Sequence, residues 1–210
     1  MKKYKTEQEE FWVGDFGDKY INRNRSDQYL ASNLNFFSQV LKRVGKISSV
    51  IEFGANIGMN LKAIKLLYPE IKAKGIEINK EASNELSLLI GEQNTFNTSI
   101  FDCDVSAIEK SDLSLIKGVL IHINPEMLSL VYDKLYEASS KYILICEYYN
   151  PTPVMINYRG HENRLFKRDF AGDILAVYKD LELIDYGFFY KGDPAFPQDD
   201  ITWFLMKKQK

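Results

Sequence analysis

The residues from Glu52 to Gly58 combine a carboxylate with two glycines in the pattern of a turn that lets a ligand approach the backbone. Gly54 and Gly58 have no Cβ, so a ligand can lie directly against them, and Asn56 tolerates positive φ better than most other residues. A helix predicted to begin near Ile57 would direct free N–H groups and the positive end of its dipole at this turn. The stretch therefore predicts a ligand-binding turn between a strand and a helix.

The spacing of the glycines indicates which ligand the turn suits. The dinucleotide fingerprint requires glycines at the positions held here by Gly54, Asn56 and Met59, so Met59 argues against NAD. The pattern acid-x-Gly-x-Gly-x-Gly lies under S-adenosylmethionine (SAM) in Rossmann-like methyltransferases, and it matches at Glu52, Gly54 and Gly58 but departs at Asn56. We therefore expect SAM as the cofactor, with contacts from Glu52, Gly54, Ala55, Asn56 and Gly58.

A second acid ends the next predicted strand, which covers residues 72–78. A carboxylate at this place accepts hydrogen bonds from the ribose hydroxyls of a nucleotide-type ligand, and Glu77 supplies it. Glu52 taken alone fits another role equally well, that of a strand-end carboxylate capping local N–H groups. The turn, the helix and Glu77 together favour the binding site.

A third predicted strand, residues 96–102, would end beside the adenine ring of such a cofactor. Phe101 or Ile78 would then flank the ring, and Asp102 would accept a hydrogen bond from its exocyclic amine. A solvated carboxylate in a loop is an equally good interpretation of Asp102.

The order of the predicted elements is that of an α/β protein with a Rossmann-like, doubly wound sheet of seven strands. The sheet is mostly parallel, but residues 181–190 and 201–206 are joined by a short loop and form a C-terminal antiparallel hairpin. Ligands bind beyond the carboxyl ends of such strands. We therefore expect Lys117 and Val119, where the apolar run of residues 113–121 is interrupted, to contact the cofactor.

The segment before the first strand predicts a covering element rather than part of the sheet. Residues 6–25 mix aromatic, glycine and charged residues without a clean period, which indicates a short helix and a loop. This flap either packs on the core or closes over the cofactor, with Tyr20 or a nearby arginine reaching its amino-acid end. An amphipathic helix follows Ser26, so residues 1–45 form a helical flap and a helix on a single compact core of residues 46–210.

Methyl transfer needs few catalytic groups, because a positioned acceptor only has to lose a proton. The candidate bases at the strand ends are His122 and Glu147. A histidine after a core strand is also often a packing residue. A carboxylate that ends an apolar strand needs a partner, so Glu147 is either functional or part of a structural ion pair.

Residues 158–169 gather four cations and a histidine in a predicted loop that leads to a helix. Arginine binds phosphate and carboxylate groups in a bidentate manner, which favours an anionic small-molecule acceptor. A solvated loop that pairs with Glu162 and Asp169 is the alternative. We expect these substrate-binding residues: Tyr148, Asn150, Arg159, His161 and Arg164.

Composition limits the remaining function classes. Lysine and arginine total 27 and aspartate and glutamate 29, so a net charge of −2 gives no footprint for nucleic acid. Cys103 and Cys146 lack metal-ligand spacing, so we expect no metal and no disulfide. Apolar runs are too short for a membrane span or a signal peptide. These observations predict a cytoplasmic protein. We expect it to be a monomer or a homodimer.

The chain also resembles a known group, the class I SAM-dependent methyltransferases. Within that group it is similar to the pseudaminic-acid-biosynthesis-associated methylases of bacterial surface-glycan clusters. The similar segments are residues 11–20, 50–58, 117–125, 146–153, 158–162 and 196–203. The resemblance implies SAM as cofactor and a sugar or nucleotide-linked acceptor. Transfer of another SAM-derived group, such as aminocarboxypropyl, and a catalytically silent SAM-binding partner are the alternatives.

Overall fold

The computed structural model describes residues 4–209, so residues 1–3 of the predicted flap and residue 210 of the predicted core lie outside it. The α-helices are α1 (Glu7–Val13), α2 (Asp15–Ile21), α3 (Asp27–Val40), α4 (Met59–Leu67), α5 (Lys80–Ile90), α6 (Leu128–Ala138) and α7 (Phe170–Val177). The strands are β1 (Ser49–Phe53), β2 (Lys72–Ile76), β3 (Thr95–Phe96), β4 (Ser111–Lys117), β5 (Ser139–Glu147), β6 (Val154–Tyr158), β7 (His161–Lys167), β8 (Leu181–Phe189) and β9 (Ile201–Lys208). Short 3₁₀ turns include Asn22–Asn24 and Leu120–His122.

Seven of the strands form one sheet in the order β3-β2-β1-β4-β5-β9-β8. The five strands from β3 to β5 are parallel, whereas β9 runs antiparallel to both β5 and β8. The predicted Rossmann-like, mostly parallel sheet with a C-terminal antiparallel hairpin is therefore confirmed. The chain winds outward from β1 in one direction and then from β4 in the other, which creates a crevice where β1 meets β4.

The register of the central strands brings the predicted binding groups to one edge of the sheet. Phe53, the last residue of β1, lies beside Ile76 of β2 and Ile116 of β4. Phe53 is followed by the turn that begins at Gly54. In the same way, Ile76 is followed by Glu77, and Ile116 is followed by Lys117. Side chains far apart in the sequence thus meet at the carboxyl ends of adjacent strands.

Helices cover both faces of the sheet and bury two apolar layers. On one face α3, α4 and α5 contribute fully buried residues such as Phe36, Leu61 and Leu86. On the other face α6 and α7 contribute Val131 and Ile174 in the same way. Both layers hold the strands rigid, so the loops at the carboxyl edge start from fixed points.

The N-terminal segment contains two helices, α1 and α2, where the sequence predicts one short helix and a loop. Thr6 caps α1, because its hydroxyl accepts from Glu9 N while the Glu9 carboxylate accepts from the Thr6 N–H.

None of the helices within residues 4–209 is long and apolar enough to cross a membrane.

The prediction of a loop over residues 158–169 is wrong, because β6 and β7 form a separate two-stranded sheet there. Arg159 and Gly160 connect these strands with φ values of 53° and 84°. Two positive φ values in succession are typical of the tight turns that join hairpin strands. The predicted helix that follows is present as α7, with Asp169 as its cap.

The third strand is shorter than predicted, whereas the fourth ends at the predicted interruption of the apolar run. β3 contains only Thr95 and Phe96, because Ser99 starts a tight turn in which its carbonyl accepts from Asp102 N and its hydroxyl from Phe101 N. Such local hydrogen bonds compete with a strand ladder. β4 ends at Lys117, and residues 120–122 form a 3₁₀ turn.

Replacement of Gly58, the residue before α4, should destabilise the fold. Gly58 has φ = 82°, and a Cβ there would lie 2.8 Å from both Leu86 Cδ1 and Leu89 Cδ2. We expect Gly58→Ala to lower the free energy of unfolding by about 2 kcal/mol, through backbone strain and overpacking. Urea denaturation measures this change.

Gly45→Ala is the matched control for that experiment. A Cβ at Gly45 would lie 3.5 Å from Tyr142 Oη, which is an ordinary contact. We expect this control to change the unfolding free energy by less than about 0.5 kcal/mol. Equal effects of the two substitutions would contradict the strain at Gly58.

Candidate functional site

A cavity of about 250 Å³ opens at the carboxyl edge of the sheet, over the ends of β1, β2 and β4. Its wall is formed by the turn after β1 and by helices α1 and α2. Tyr158 and Arg159 at the end of β6, and Asp199 and Ile201 at the start of β9, complete the wall. The predicted site residues that line it are Tyr20, Gly54, Ala55, Asn56, Glu77, Ile78, Phe101, Lys117, Val119, His122, Tyr148 and Arg159. The lining described for this cavity does not include Glu52, Gly58, Asp102, Glu147, Asn150, His161 or Arg164.

The turn after β1 has the backbone conformation that its sequence predicts. Gly54, Asn56 and Gly58 all have positive φ, at 73°, 50° and 82°. The N–H groups of Gly54 and Ala55 both donate to Ile76 O of the neighbouring strand, at 2.9 and 3.0 Å. A Cβ at Gly54 would lie 2.6 Å from Val119 Cγ2, so the turn packs tightly against the loop after β4.

Glu77 joins this turn to the start of α5. Its two carboxylate oxygens accept from Asn56 N and from Asn79 N, each at 2.7 Å. Burial raises the pKa of Glu77, although these N–H bonds oppose the shift. A carboxylate oxygen has more than one acceptor position, so Glu77 can still accept hydrogen bonds from a ligand in the cavity.

Glu52 acts behind the cavity rather than in it. The side chain is completely buried, and Oε1 accepts from Asn60 Nδ2 at 2.6 Å. Burial raises the pKa of this carboxyl to about 8, with the bond to Asn60 opposing the shift. Asn60 itself lines the cavity, so Glu52 positions a residue of α4 that faces a ligand.

The residues after β3 divide between the cavity and the surface. Ile78 and Phe101 line the cavity, and their contact with an adenine ring stays a prediction. Asp102 lies on the outside, where its carboxylate is 2.6 Å from Lys5 Nζ and is 42% exposed. The structure therefore places Asp102 in the solvated position that the sequence left as an alternative.

His122 lines the cavity and is almost completely buried. Its Nδ1 forms a hydrogen bond with Arg164 O, and because a carbonyl can only accept, Nδ1 carries the proton of the neutral ring. The ring packs against Trp12 and Tyr158, with centroids at 4.8 and 4.9 Å. Burial lowers the pKa of His122 to about 4. The Nε2 lone pair is thus available at neutral pH.

Glu147, the other predicted base, holds the loop after β4. Its Oε1 accepts from Val119 N at 2.9 Å and from Leu120 N at 2.8 Å. Burial raises the pKa of Glu147 to about 7, and the N–H bonds oppose the shift. Since the carboxylate lies under the loop, its geometry fits a structural anchor better than a base in contact with an acceptor.

The hairpin β6–β7 and helices α1–α2 together form what we call the lid. Arg164 of the hairpin pairs with Glu7 of α1 at 2.9 Å, and its guanidinium lies over the Phe11 ring. Gln8 Nε2 donates to Asn163 O at 2.9 Å. The His161 ring packs against Phe11 with the centroids 5.1 Å apart. Arg164 and His161 therefore hold the lid together.

The other two predicted acceptor residues of this region behave differently. Asn150 donates to Thr152 O at 2.6 Å and stabilises the loop before β6. Arg159 lines the cavity, and its guanidinium lies 5.5 Å from the centre of the Tyr158 ring.

Further hydrogen bonds tie α1, α2 and the segment after α2 to loops at the carboxyl edge of the sheet. Asn79 Nδ2 donates to Asp18 Oδ1 of α2 at 2.7 Å. Glu9 of α1 accepts from the Ser99 hydroxyl, beyond β3. Asn24 Nδ2 donates to Asn56 Oδ1 at 3.3 Å, so the segment after α2 contacts the turn itself.

Several cavity residues were not found by sequence reasoning. Arg23, Tyr29, Tyr158 and Asp199 line the wall next to Tyr20 and Tyr148. Burial raises the pKa values of Tyr20 and Tyr148, so both phenols stay protonated. The only available signal was the high content of 13 tyrosines, which does not say which of them converge.

Residues 4–209 contain no group of three or more histidine, cysteine, aspartate or glutamate side chains arranged to hold a metal ion.

The chain matches no protein-family model and no curated protein. It is similar in structure to the plantazolicin methyltransferase BpumL in complex with SAH, with a TM-score of 0.63 and 14% identity over 97% of this chain and 94% of that chain. It is also similar to the 1,6-didemethyltoxoflavin-N1-methyltransferase of Burkholderia thailandensis, with a TM-score of 0.68 and 12% identity over 96% and 87%.

A third similar structure is the magnesium protoporphyrin IX methyltransferase of Synechocystis PCC 6803 with bound SAM. Its TM-score is 0.64 at 12% identity, and the match covers 99% of this chain and 100% of that chain. At these identities the likeness is one of fold, and it covers each chain almost completely. The chain therefore has the fold of the class I SAM-dependent methyltransferases.

Proposed function

We propose that the protein is a SAM-dependent methyltransferase that acts on a small anionic acceptor. The observation that carries this proposal is the turn from Gly54 to Gly58, which has three positive φ values and is held by Glu77 at the rim of a cavity. The similar structures of BpumL and of the Synechocystis enzyme, which were solved with SAH and SAM, support the same cofactor.

The cavity residues fit an extended cofactor that lies across the strand ends. Glu77 would accept from the ribose hydroxyls, because its carboxylate keeps free acceptor positions. Ile78 and Phe101 would flank the adenine on the β2 and β3 side. The positive-φ turn at Gly54 would lie under the middle of the cofactor. When bound, SAM supplies a methyl group on a positively charged sulfur.

The charges of the cavity favour an anionic acceptor. Arg23, Lys117 and Arg159 line it and form no ion pair with any of the described residues. The lining acids Glu9 and Glu77 already accept protein hydrogen bonds. The exposed Asp199 is the remaining acid of the lining, so the cations outnumber it.

Arg159, Tyr148 and Tyr158 are the groups that we assign to the acceptor. Phenol hydroxyls and a guanidinium suit a sugar that carries a carboxylate or phosphate. A surface-glycan precursor of the kind suggested by the sequence resemblance fits this chemistry.

His122 is the best-placed base. Its Nε2 can take the proton of an acceptor hydroxyl or amine, because the bond from Nδ1 to Arg164 O fixes the ring and its tautomer. The lid supplies both Trp12, which packs on this ring, and the carbonyl of Arg164. Closure of the lid would thus position the base and exclude water at the same time.

Glu77→Gln should remove the recognition of ribose. Adenosine and 2′,3′-dideoxyadenosine differ only in the two hydroxyls, so calorimetry of both ligands isolates the contact. We expect wild type to prefer adenosine at least tenfold and Glu77→Gln to prefer it less than about threefold, since hydrogen bonds to a charged group contribute about 1.5–3 kcal/mol.

Two controls accompany that measurement. Asp102→Asn changes a carboxylate outside the cavity and should leave both affinities unchanged. SAM at about 100 times its Kd should raise the Tm of the wild type by roughly 5 to 10 °C. An unchanged preference in Glu77→Gln would contradict its role, and the absence of any SAM shift would contradict the cofactor.

His122→Asn should remove catalysis while cofactor affinity is retained. We expect kcat to fall by about 10²- to 10⁴-fold, because the acceptor loses its base. Mass spectrometry of anionic sugars and sugar nucleotides incubated with SAM measures the product and also separates methyl from aminocarboxypropyl transfer. Glu147→Gln is the matched comparison, and a loss of kcat confined to that variant would reverse the two assignments.

The depressed pKa of His122 should also appear in stability, without any acceptor. The pKa is about 4 in the folded protein against 6.5 for the unperturbed group, so the unfolded chain binds more protons between these values. The resulting stability is complete above pH 6.5 and is lost as the pH falls to 4, by about 3 kcal/mol.

The difference between wild type and His122→Asn isolates this contribution. Glu52 and Glu147 have raised pKa values and change stability in the opposite direction, since their contribution is lost as the pH rises. They are present in both proteins and cancel in the difference. A pH-independent difference in unfolding free energy would show that His122 is not buried as a neutral ring.

A further inference from the structure

Lys117, the last residue of β4, presents an ammonium group to the cavity without an ionic partner. Nζ lies 5.7 Å from the centre of the Tyr29 ring and 5.5 Å from that of Phe36, so two aromatic faces support it. Among the groups that the structure describes, Lys117 Nζ has no carboxylate within 4 Å and donates to no hydrogen-bond acceptor. A half-buried cation that faces the cavity without a protein partner can pair with an anionic group of a ligand bound there.

The nearby acidic groups do not supply that anion. Glu52 is completely buried, its Oε1 accepts from Asn60, and its carboxyl group lies more than 4 Å from Lys117 Nζ. Asp199 is exposed at the cavity wall and lies beyond ion-pair distance. Burial works to lower the pKa of Lys117, but Tyr29, Cys146, Asp199 and Glu52 outweigh it and the pKa is raised. The side chain therefore stays charged.

The position of Lys117 along the sheet indicates which part of the cofactor reaches it. Glu77 follows β2, the turn at Gly54 follows β1, and Lys117 ends β4 on the far side of β1. Adjacent strands are about 4.8 Å apart, so Glu77 and Lys117 are separated by roughly 10 Å. An extended SAM with its ribose at Glu77 and its sulfur over the turn would place its amino-acid end beside β4.

We propose that Lys117 binds the α-carboxylate of the cofactor, with the Tyr29 ring as the floor of this subsite. This inference rests on the proposed function, because it assumes that SAM or SAH occupies the cavity. It assigns to Lys117 the discrimination between SAH and 5′-methylthioadenosine, which keeps the adenosine and the thioether but lacks the amino-acid part. It also leaves Arg23 and Arg159 as the unpaired cations of the lining for the acceptor.

Lys117→Met tests this subsite, since methionine keeps an apolar chain against Tyr29 and Phe36 and removes the charge. Calorimetric titration with SAH and with 5′-methylthioadenosine should show SAH affinity reduced 10- to 100-fold, with 5′-methylthioadenosine affinity within twofold of wild type. Lys117→Arg should retain most of the preference for SAH. Lys62→Met, on the exposed face of α4, is the control and should change neither affinity.

Each other outcome has a definite meaning. Equal losses for both ligands would overturn the proposal in favour of a structural role, which thermal melts of the free variant would show directly. Unchanged affinity for both ligands would overturn it in favour of an acceptor anion at Lys117. Failure of wild type to bind either ligand would overturn the proposed function itself, whereas binding of both with a selective loss in Lys117→Met supports the two together.

Discussion

The carboxyl edge of the sheet depends on buried carboxylates that hold loop backbone in place. Backbone N–H groups in loops have no hydrogen-bond partner on a neighbouring strand, so they need another acceptor when they are buried. Glu77 accepts from the turn after β1 and from the start of α5, while Glu147 accepts from two residues of the loop after β4. Glu52 does the same for a side chain of α4. Each carboxylate lies at or near the end of a rigid strand. The loops that these carboxylates bind are therefore held in fixed positions relative to the sheet.

The cover of the cavity is assembled from two remote parts of the chain. The bond between Gln8 and Asn163 joins residues 155 positions apart, and the one between Arg164 and Glu7 joins residues 157 apart. Both parts also contact the body of the protein: Asn79 and Ser99 bond to α2 and α1, and Leu165 of β7 is buried in the apolar layer formed by α6 and α7. The best-placed base depends on this arrangement, because His122 contacts Trp12 from one part and Arg164 from the other.

Much of this architecture could be predicted from the sequence, because it rests on local signals. The turn from Gly54 to Gly58 is encoded by residues that accept positive φ, and the sheet by apolar runs between amphipathic helices. The roles of Glu147 and Arg164 could not be predicted in this way. A carboxylate at a strand end looks the same in sequence whether it meets a ligand or a loop, and the partner Glu7 lies 157 residues from Arg164.

The two tryptophans give the molecule an internal optical probe. Trp12 forms part of the cavity wall and touches the His122 ring, so its emission responds to whatever enters the cavity and to movement of α1. Trp203 is buried in β9 opposite Gly187, where its environment is fixed by the sheet. One indole thus senses the ligand while the other provides a constant reference. Occupancy and closure can be followed by fluorescence, without a label and without knowledge of the acceptor.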